Sequence, residues 1–423
     1  MPEILDIAAL PSLADAGFTG GRDNFRAFCR TIFRADEPRF LRTDQNHLVV
    51  FRHEDLQAFG TAPEIGNLPI GKLYPTRFAQ DGSTERPPGS DIADVISSQV
   101  FTFNPPLHGP ARQMLINWLG PKQMAVLETV ARQTAQELVD QFQDCSELDF
   151  PSAIAERMTT SFWSSLLHLT EDESRAIGKC SQEMTRLFHL NRSSEDVQAL
   201  DIAFAEYARI LETAAARRLK CNDSALTEIA DKLSALRFDD PFEVGVAPKS
   251  VGEMLAGNLV DGFHTAALAS ANAFHVLTNH PSAISEIRES PQLAARAIAE
   301  ALRLEPPIIL LKRYALKDFT YKDKTIPAGS IITMLWAAGN HDPSVFPEPE
   351  RFDIHRLHAG LTTFGKGIHI CPGRHVGVML IRVLLETLLD NGIEFVHADA
   401  PTQWIPQHML NQIKAMPMVV KRR

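Results

Sequence analysis

Apolar and polar residues follow a helical period through most of the middle of the chain. Between residues 121 and 289, apolar residues recur every three or four positions, which is the spacing of one face of an α-helix. The longest of these segments begins at Ser250 and Glu253, whose S-x-x-E spacing is typical of a capping box. It continues to His280-Pro281, so it predicts a helix of about 30 residues.

Two further helices have recognisable ends. One is predicted to open with Ser290 as the N-cap and Pro291 as the first residue, and to close at Pro306. The other is predicted to start near Pro372 and to end at Gly392, because glycine readily adopts the left-handed conformation that follows a helix.

Strand signals are fewer and shorter. The stretch from Arg39 to Ala58 predicts two short strands, and Ile308–Leu311 and Ile331–Leu335 predict two more, the last preceded by a turn at Pro327–Gly329. The pattern therefore predicts a mainly α fold with a smaller β part.

Composition narrows the class of protein. The 423 residues are 44% hydrophobic and 22% charged, which is typical of a globular chain with a large core. The net charge of −10 (42 basic against 52 acidic residues) disfavours nucleic acid or an anionic membrane as partner. The first residues resemble neither a membrane anchor nor a secretory signal, so a cytoplasmic location is expected.

One segment carries most of the candidate chemistry. Residues 364–373 read F-G-K-G-I-H-I-C-P-G, so a glycine-rich loop presents Cys371 just before a predicted helix. Such a position favours a thiolate, which acts as a nucleophile or a metal ligand. The alternative is a glycine-rich turn with an incidental cysteine. A single His-x-Cys pair supplies too few ligands for zinc, and the five cysteines form no CxxC.

This segment resembles the haem-binding loop of the cytochromes P-450, the haem-thiolate monooxygenases, and in particular their soluble bacterial type. Other segments resemble family motifs in the same order along the chain: Asn104–His108 with Arg112, Glu300–Arg303, Asn340–Pro343, and Pro349–Phe352. The resemblance covers roughly residues 36–423. It implies a single large haem-binding unit over residues 1–423, with residues 1–35 as an N-terminal extension packed on it.

The resemblance also implies roles for individual residues. Cys371 would be the axial thiolate ligand of haem b, donating electrons to the iron opposite bound oxygen. Phe364 and Gly373 of the same loop would contact the cofactor. The haem propionates would be held by cationic or N–H-bearing side chains, namely His108, Arg112, Arg313 and His369. Without the resemblance, each of these is equally an ordinary surface or helix-face residue.

Glu300 and Arg303 have a structural role in the family. They would form an ion pair that meets an arginine of a later segment, for which Arg351 is the candidate here. Alone, an acid and a base three residues apart are often an exposed helix pair that contributes only a few tenths of a kcal/mol.

The centre of the longest helix departs from the family pattern. Where the family has small-Gly-x-acid-Thr, this chain has Asp261-Gly262-Phe263-His264-Thr265. Glycine inside a helix costs about 1 kcal/mol relative to alanine, and close approach of the haem to Gly262 would explain its presence. Thr265 is expected to bond the carbonyl of Asp261 and to open the helix locally.

Oxygen activation needs protons, and this segment is the candidate source. Thr265 would hydrogen-bond bound oxygen. His264, with an ordinary pKa near neutrality, would relay protons, and Asp261 would orient or charge it. The alternative is that His264 packs inside the protein and that protons travel through water and Thr265 alone.

The expected reaction is insertion of one oxygen atom from O2 into a small hydrophobic molecule, such as a terpenoid or an aromatic compound. Ile308–Leu311 and Phe263 would form an apolar wall of the pocket that binds this molecule. The chain has no flavin, nicotinamide or iron–sulfur motif, so a ferredoxin with its reductase, or a flavoprotein, would supply electrons. Lys366, Arg374 and Arg382 are either a docking patch for that donor or ordinary solvated side chains.

Three other functions stay open from the sequence. Oxidative coupling or peroxide-driven oxygenation would use the same cofactor, and its activity would need no reductase. A non-enzymatic haem protein would only bind a ligand. A zinc or thiol enzyme would use Cys371 without haem.

Overall fold

The computed structural model describes residues 2–34, 36–78, 86–142, 146–188, 193–236, 238–357 and 359–422. Helices predominate in these ranges. In chain order they are α1 Arg22–Thr31, α2 His53–Thr61, α3 Ile70–Leu73, α4 Pro75–Phe78, α5 Ser90–Ser97, α6 His108–Leu119, α7 Met124–Gln141, α8 Glu156–Leu167, α9 Glu171–Met184, α10 Ser194–Lys220, α11 Ser224–Ala235, α12 Val251–Thr278, α13 Pro281–Glu289, α14 Ala294–Leu304, α15 Trp336–Gly339 and α16 Arg374–Asp390. Among them, none has both the length and the apolar run needed to cross a bilayer.

The strands are short. They are β1 Glu3–Ile4, β2 Leu41–Arg42, β3 Leu48–Val50, β4 Ile65–Gly66, β5 Glu147–Asp149, β6 Asp239–Asp240, β7 Gly245–Val246, β8 Leu311–Ala315, β9 Phe319–Tyr321, β10 Lys324–Ile326, β11 Ile331–Met334, β12 Ile393–His397, β13 Gln403–Trp404, β14 Ile413–Ala415 and β15 Pro417–Arg422. The largest sheet has the order β2-β3-β11-β8-β4. In it, β11 pairs with β3 in parallel and with β8 antiparallel, which places Arg313 opposite Ile332.

The chain forms two compact units. Unit 1 comprises Met1–Gly66, Leu138–Ala155 and Ala267–Arg423, and unit 2 comprises Asn67–Glu137 and Glu156–Ala266. Unit 1 contains every described sheet except the β6–β7 pair, and unit 2 is otherwise helical. The chain passes between the units at four points, the last of them inside α12. The prediction of a mainly α fold with a smaller β part is confirmed, whereas a single unit over residues 1–423 stays a prediction.

The N-terminal residues belong to the core of unit 1. Phe18, Phe25 and Phe28 are at most 4% exposed and share one apolar cluster with Phe51. Phe28 meets Phe51 edge-on, with ring centroids 6.0 Å apart. Residues 1–35 therefore contribute core side chains as well as a covering layer.

The predicted start of α12 and the predicted end of α16 agree with the structure, whereas the start predicted at Ser290-Pro291 does not. The Ser250 hydroxyl accepts the Glu253 amide at 3.0 Å, and α12 starts one residue after Ser250. Gly392 follows α16 with a φ of +67°. At Pro291 the chain first makes a short 3-10 turn, and α14 begins only at Ala294.

The two short strands predicted within Arg39–Ala58 are confirmed as β2 and β3. The end of that stretch forms the start of α2, whose cap comes from a distant residue: the Asp342 carboxylate accepts the His53 amide at 2.9 Å. One other strand prediction needs correction. The strand predicted at Ile308–Leu311 begins only at Leu311. Ile309 and Leu310 instead lie in the same apolar cluster as Phe28, so they do not form a substrate wall.

Candidate active site

In unit 1, the Cys371 loop is fixed by backbone geometry that requires glycine. Gly365 and Gly367 have φ values of +71° and +72°, where side chains other than glycine are strained. A Cβ on Gly367 would lie 1.9 Å from the carbonyl oxygen of Gly60, at the end of α2. The Cys371 amide then donates to the Phe364 carbonyl at 2.9 Å, which closes the loop.

The loop leaves Cys371 half-buried, three residues before α16 begins. The Arg374 guanidinium donates to the Cys371 carbonyl at 3.1 Å. A Cβ added to Gly373 or Gly377 would meet no atom within 4 Å, so this side of the loop and of the first turn of α16 is open. The arrangement leaves room beside the backbone two residues after Cys371.

A buried ion-pair network supports the segment that leads to this loop. Arg303 on α14 donates to both carboxylate oxygens of Glu300, at 2.8 and 3.0 Å, and both side chains are 0% exposed. Arg303 also donates to the carbonyls of Asn340 and Pro349, at 2.9 and 2.7 Å. These bonds confirm that Glu300 and Arg303 pair inside the protein rather than on an exposed helix face.

The third member of the network is Arg356, not Arg351 as the sequence predicted. Arg356 donates to Glu300 at 3.0 Å and is 10% exposed. The Arg351 side chain is 59% exposed and pairs with Glu348 and Asp353. Only its backbone carbonyl joins the network, accepting from Arg303 at 3.3 Å. The sequence offered two arginines five residues apart, and only the path of the chain decides which one turns inward.

Arg313 on β8 is a buried cation. It is 4% exposed, and burial lowers the pKa of its guanidinium to about 10. It donates to the Lys312 carbonyl at 3.0 Å. A carboxylate is the partner that best stabilises such a buried guanidinium. His369 lies within the Cys371 loop, in a 3-10 turn, and is half-buried.

In unit 2, His108 begins α6 and Arg112 lies one turn later on the same face. His108 is 3% exposed and Arg112 is half-buried. Asn104 fixes the start of the helix, since its side chain accepts the Asn67 amide and donates to the Asn67 carbonyl, both at 2.9 Å. The pair is therefore positioned by tertiary contacts and is not a freely solvated helix face.

The middle of α12 is open although the rest of the helix is almost wholly buried. Asp261 is exposed, and Gly262, His264, Thr265 and Ala266 are partly exposed; we call these five residues the open strip. Thr265 Oγ1 donates to the Asp261 carbonyl at 2.5 Å, as the sequence predicted. The two side chains lie four residues apart and so share one face of the helix.

The structure gives a different reason for the glycine in this helix. A Cβ on Gly262 would meet the Trp163 indole at 3.3 Å, and Trp163 Nε1 donates to the Gly262 carbonyl at 3.2 Å. Phe263 is 3% exposed and packs between the rings of Trp163 and Tyr207, so it is a core residue and not part of a substrate wall. A contact of Gly262 with haem stays a prediction.

Burial shifts the pKa values of the two ionisable side chains in the open strip. It raises the pKa of Asp261 to about 6 and lowers that of His264 to about 4, because each charged form loses solvation. The expectation that His264 titrates near neutrality is therefore wrong. At pH 7 His264 is neutral, and Asp261 is the group that titrates closest to the physiological range.

These residues fit a haem. Cys371 supplies a thiolate from a loop that is open at Gly373, and Arg313 supplies a buried cation suited to a propionate. Among the described residues, no cluster of three or more His, Cys, Asp or Glu side chains is arranged to hold a metal ion directly.

Comparison with known proteins agrees with this interpretation. A family model described as Cytochrome P450 matches residues 249–402. Cytochrome P450 144 of Mycobacterium tuberculosis is 26% identical over 323 residues, covering 76% of this chain and 72% of the relative. Cytochrome P450 monooxygenase PikC of Streptomyces venezuelae is 26% identical over 362 residues, covering 83% and 82%. The solved structure of cytochrome P450 CYP109Q5 from Chondromyces apiculatus has a TM-score of 0.75 at 23% identity, covering 100% of both chains.

The motifs, the fold and the relatives all point to one family. The thiolate loop and the Glu300–Arg303 pair both lie within the matched residues, as does the whole of α12. The chain is therefore similar, in its motifs and its fold, to the cytochrome P450 family, the haem-thiolate monooxygenases, whose cofactor is haem b.

Proposed function

We propose that the chain hydroxylates a small, mainly apolar organic molecule with O2, using two electrons from a separate donor protein. The observation that carries this proposal is the Cys371 loop, where two positive-φ glycines hold a half-buried cysteine beside open space. When bound, haem supplies the oxygen chemistry, and a thiolate ligand favours cleavage of the O–O bond. Each other role below belongs to a side chain of this protein.

We assign the cofactor contacts as follows. Cys371 ligates the iron, and Phe364 and Gly373 border the cofactor from the same loop. Arg313, His369, His108 and Arg112 hold the propionates. The buried Arg313 supports this best, because a carboxylate partner would offset the desolvation that lowers its pKa. The Glu300–Arg303–Arg356 network has a structural role and keeps the approach to the loop rigid.

We assign proton handling to the open strip. Thr265 Oγ1 already donates to the Asp261 carbonyl, so the lone pairs of its oxygen are free to accept a hydrogen bond from water. His264 remains the proposed relay, but as a neutral imidazole that accepts and passes on a proton. His264→Ala should divert electrons to hydrogen peroxide, whereas His264→Glu should keep product formation coupled. Unchanged coupling in both variants would remove the relay role.

Electrons come from a ferredoxin with its reductase or from a flavoprotein. The proposed docking patch is smaller than the sequence implied, because Arg382 pairs with Glu386 at 2.9 Å and Arg374 bonds the Cys371 carbonyl. Lys366 is exposed. We expect Lys366→Glu to slow electron transfer from an acidic donor at low salt, measured by stopped-flow reduction.

The decisive experiment is the absorption spectrum of the reduced protein with carbon monoxide. Wild type should show the red-shifted band of a thiolate-ligated haem, and Cys371→Ser should lose it. Cys221→Ser is the control, since Cys221 is exposed at the end of α10. A red-shifted band in Cys371→Ser would refute the proposed ligand. Turnover with hydrogen peroxide and no electron donor would instead favour peroxide-driven chemistry.

A further inference from the structure

The open strip of α12 carries an ionisable carboxyl group, Asp261, in addition to the Thr265 and His264 side chains that we assign to proton handling. Asp261 is exposed, yet the surrounding protein desolvates it enough to raise its pKa to about 6. The residues of α12 on both sides of the open strip are almost wholly buried, so the strip faces space enclosed by protein and not the outer surface. This geometry indicates that the Asp261 carboxyl borders a cavity.

Nothing described in the protein compensates this charge. Desolvation by the surrounding protein is the cause of the raised pKa of Asp261, with no contribution from a cation among the described residues. His264, the other titratable member of the strip, is neutral above about pH 5 because its own pKa is lowered to about 4. A desolvated carboxylate without a cation is costly to the folded protein.

The position does not require an acid for local structure. The bond from Thr265 Oγ1 goes to the backbone carbonyl of Asp261, so any residue at this position would accept it. Alanine would favour the helix more than aspartate does. The carboxyl group therefore has a role outside the helix, and the cavity that it borders is the place where that role is exercised.

We propose that Asp261 is the counter-ion for a positively charged group on the substrate, so that this enzyme oxidises small, mainly apolar molecules bearing a protonated or quaternary amine. The inference rests on the proposed function, because the oxygen chemistry that Thr265 and His264 are proposed to serve requires the substrate to lie near the open strip. A cation on the ligand replaces the solvation that the carboxylate loses in the cavity. An anionic ligand would be repelled by the same group.

The test is equilibrium binding of two probes of equal shape to the haem-loaded protein. Benzyltrimethylammonium carries a permanent charge, and neopentylbenzene is its neutral isostere. Neither has a lone pair that binds iron. Calorimetric titration of wild type should give a dissociation constant about tenfold lower for the cation. Asp261→Asn and Asp261→Ala should bind both probes within about twofold of each other, while binding neopentylbenzene at least as tightly as wild type does.

Asp231→Asn is the matched control, because Asp231 is an exposed carboxylate on α11 of the same unit. It should keep the wild-type preference for the cation. Equal affinity of wild type for the two probes, or a preference that survives Asp261→Asn, would overturn the proposal. The carbon monoxide spectrum distinguishes a failure of the counter-ion proposal from a failure of the proposed function. Every Asp261 variant should retain the red-shifted band if only the substrate contact is lost.

Discussion

At the scale of single residues, the direction in which a charged side chain points decides its energetic role. Arg351 and Arg356 have the same chemistry and lie five residues apart, but only Arg356 reaches the buried Glu300 carboxylate. A buried carboxylate needs each of its cationic partners to offset its lost solvation. An exposed ion pair contributes at most about 1 kcal/mol to the stability of the protein. The two arginines therefore form a matched pair for mutation.

Arg356→Ala should destabilise the protein by about 3 kcal/mol, because Glu300 loses one of its two buried cationic partners. Arg351→Ala should change the stability by less than about 0.5 kcal/mol. Thermal unfolding of the haem-loaded variants, followed by circular dichroism, measures the difference. Equal unfolding midpoints would contradict the assignment of Arg356 to the network.

Binding of benzyltrimethylammonium should depend on pH through Asp261. The raised pKa of about 6 means that the carboxyl group is neutral below and ionised above that pH, so affinity should rise between about pH 5 and pH 7 and then level off. Tyr207, which interacts electrostatically with Asp261, has a pKa raised well above its ordinary value, and His264 titrates near pH 4. Neither changes charge in this window. Asp261→Asn should show a flat profile between pH 5 and pH 8.

At the scale of elements, the thiolate loop depends on α2 as much as on its own sequence. Gly367 lies so close to the Gly60 carbonyl at the end of α2 that no side chain fits between them. Its φ of +72° adds a second reason for glycine. The loop is therefore shaped from two sides, by its own glycines and by the helix beside it.

Gly367→Ala should displace the loop and abolish or strongly reduce the red-shifted carbon monoxide band. Gly178→Ala is the control, because Gly178 lies in α9 with no atom within 4 Å of an added Cβ. That change should leave the spectrum intact and raise stability by up to about 1 kcal/mol, since alanine favours a helix. A normal spectrum in Gly367→Ala would mean that the loop tolerates the contact.

At the scale of the whole molecule, residues from distant parts of the chain share the core of unit 1. Phe28 on α1 lies in one apolar cluster with Ile309, some 280 residues later, and with Leu335. Glu305, which is 2% exposed, accepts from Arg22 on α1 at 2.8 Å and from Asn411 at 2.8 Å. Apolar contacts and hydrogen bonds thus join the N-terminal residues to residues in the last third of the chain.

Phe28→Ala should lower stability by about 3–5 kcal/mol, as expected for the loss of a buried aromatic side chain. Ile4→Ala, at a position 69% exposed on β1, should have little effect. Thermal unfolding of the two haem-loaded variants gives the comparison. If both were equally mild, residues 1–35 would be a removable extension and not part of the core.

The sequence by itself determined the features that depend on neighbouring residues. The ends of α12 and α16 follow from the Ser250–Glu253 cap and from Gly392, and the contiguous loop motif predicted the family and haem b. The Thr265 bond to the Asp261 carbonyl was predictable because both atoms belong to one helical turn. Each of these requires only contacts a few residues apart, which spacing encodes directly.

Only the tertiary structure decided what depends on distant groups. It selected Arg356 over Arg351, assigned Ile309, Leu310 and Phe263 to the core, and capped α2 through Asp342. It also lowered the pKa of His264 and raised that of Asp261, because desolvation depends on all surrounding atoms and not on the order of residues. The sequence located the open strip, and burial determined that Asp261, and not His264, is the side chain of the strip that carries charge at pH 7.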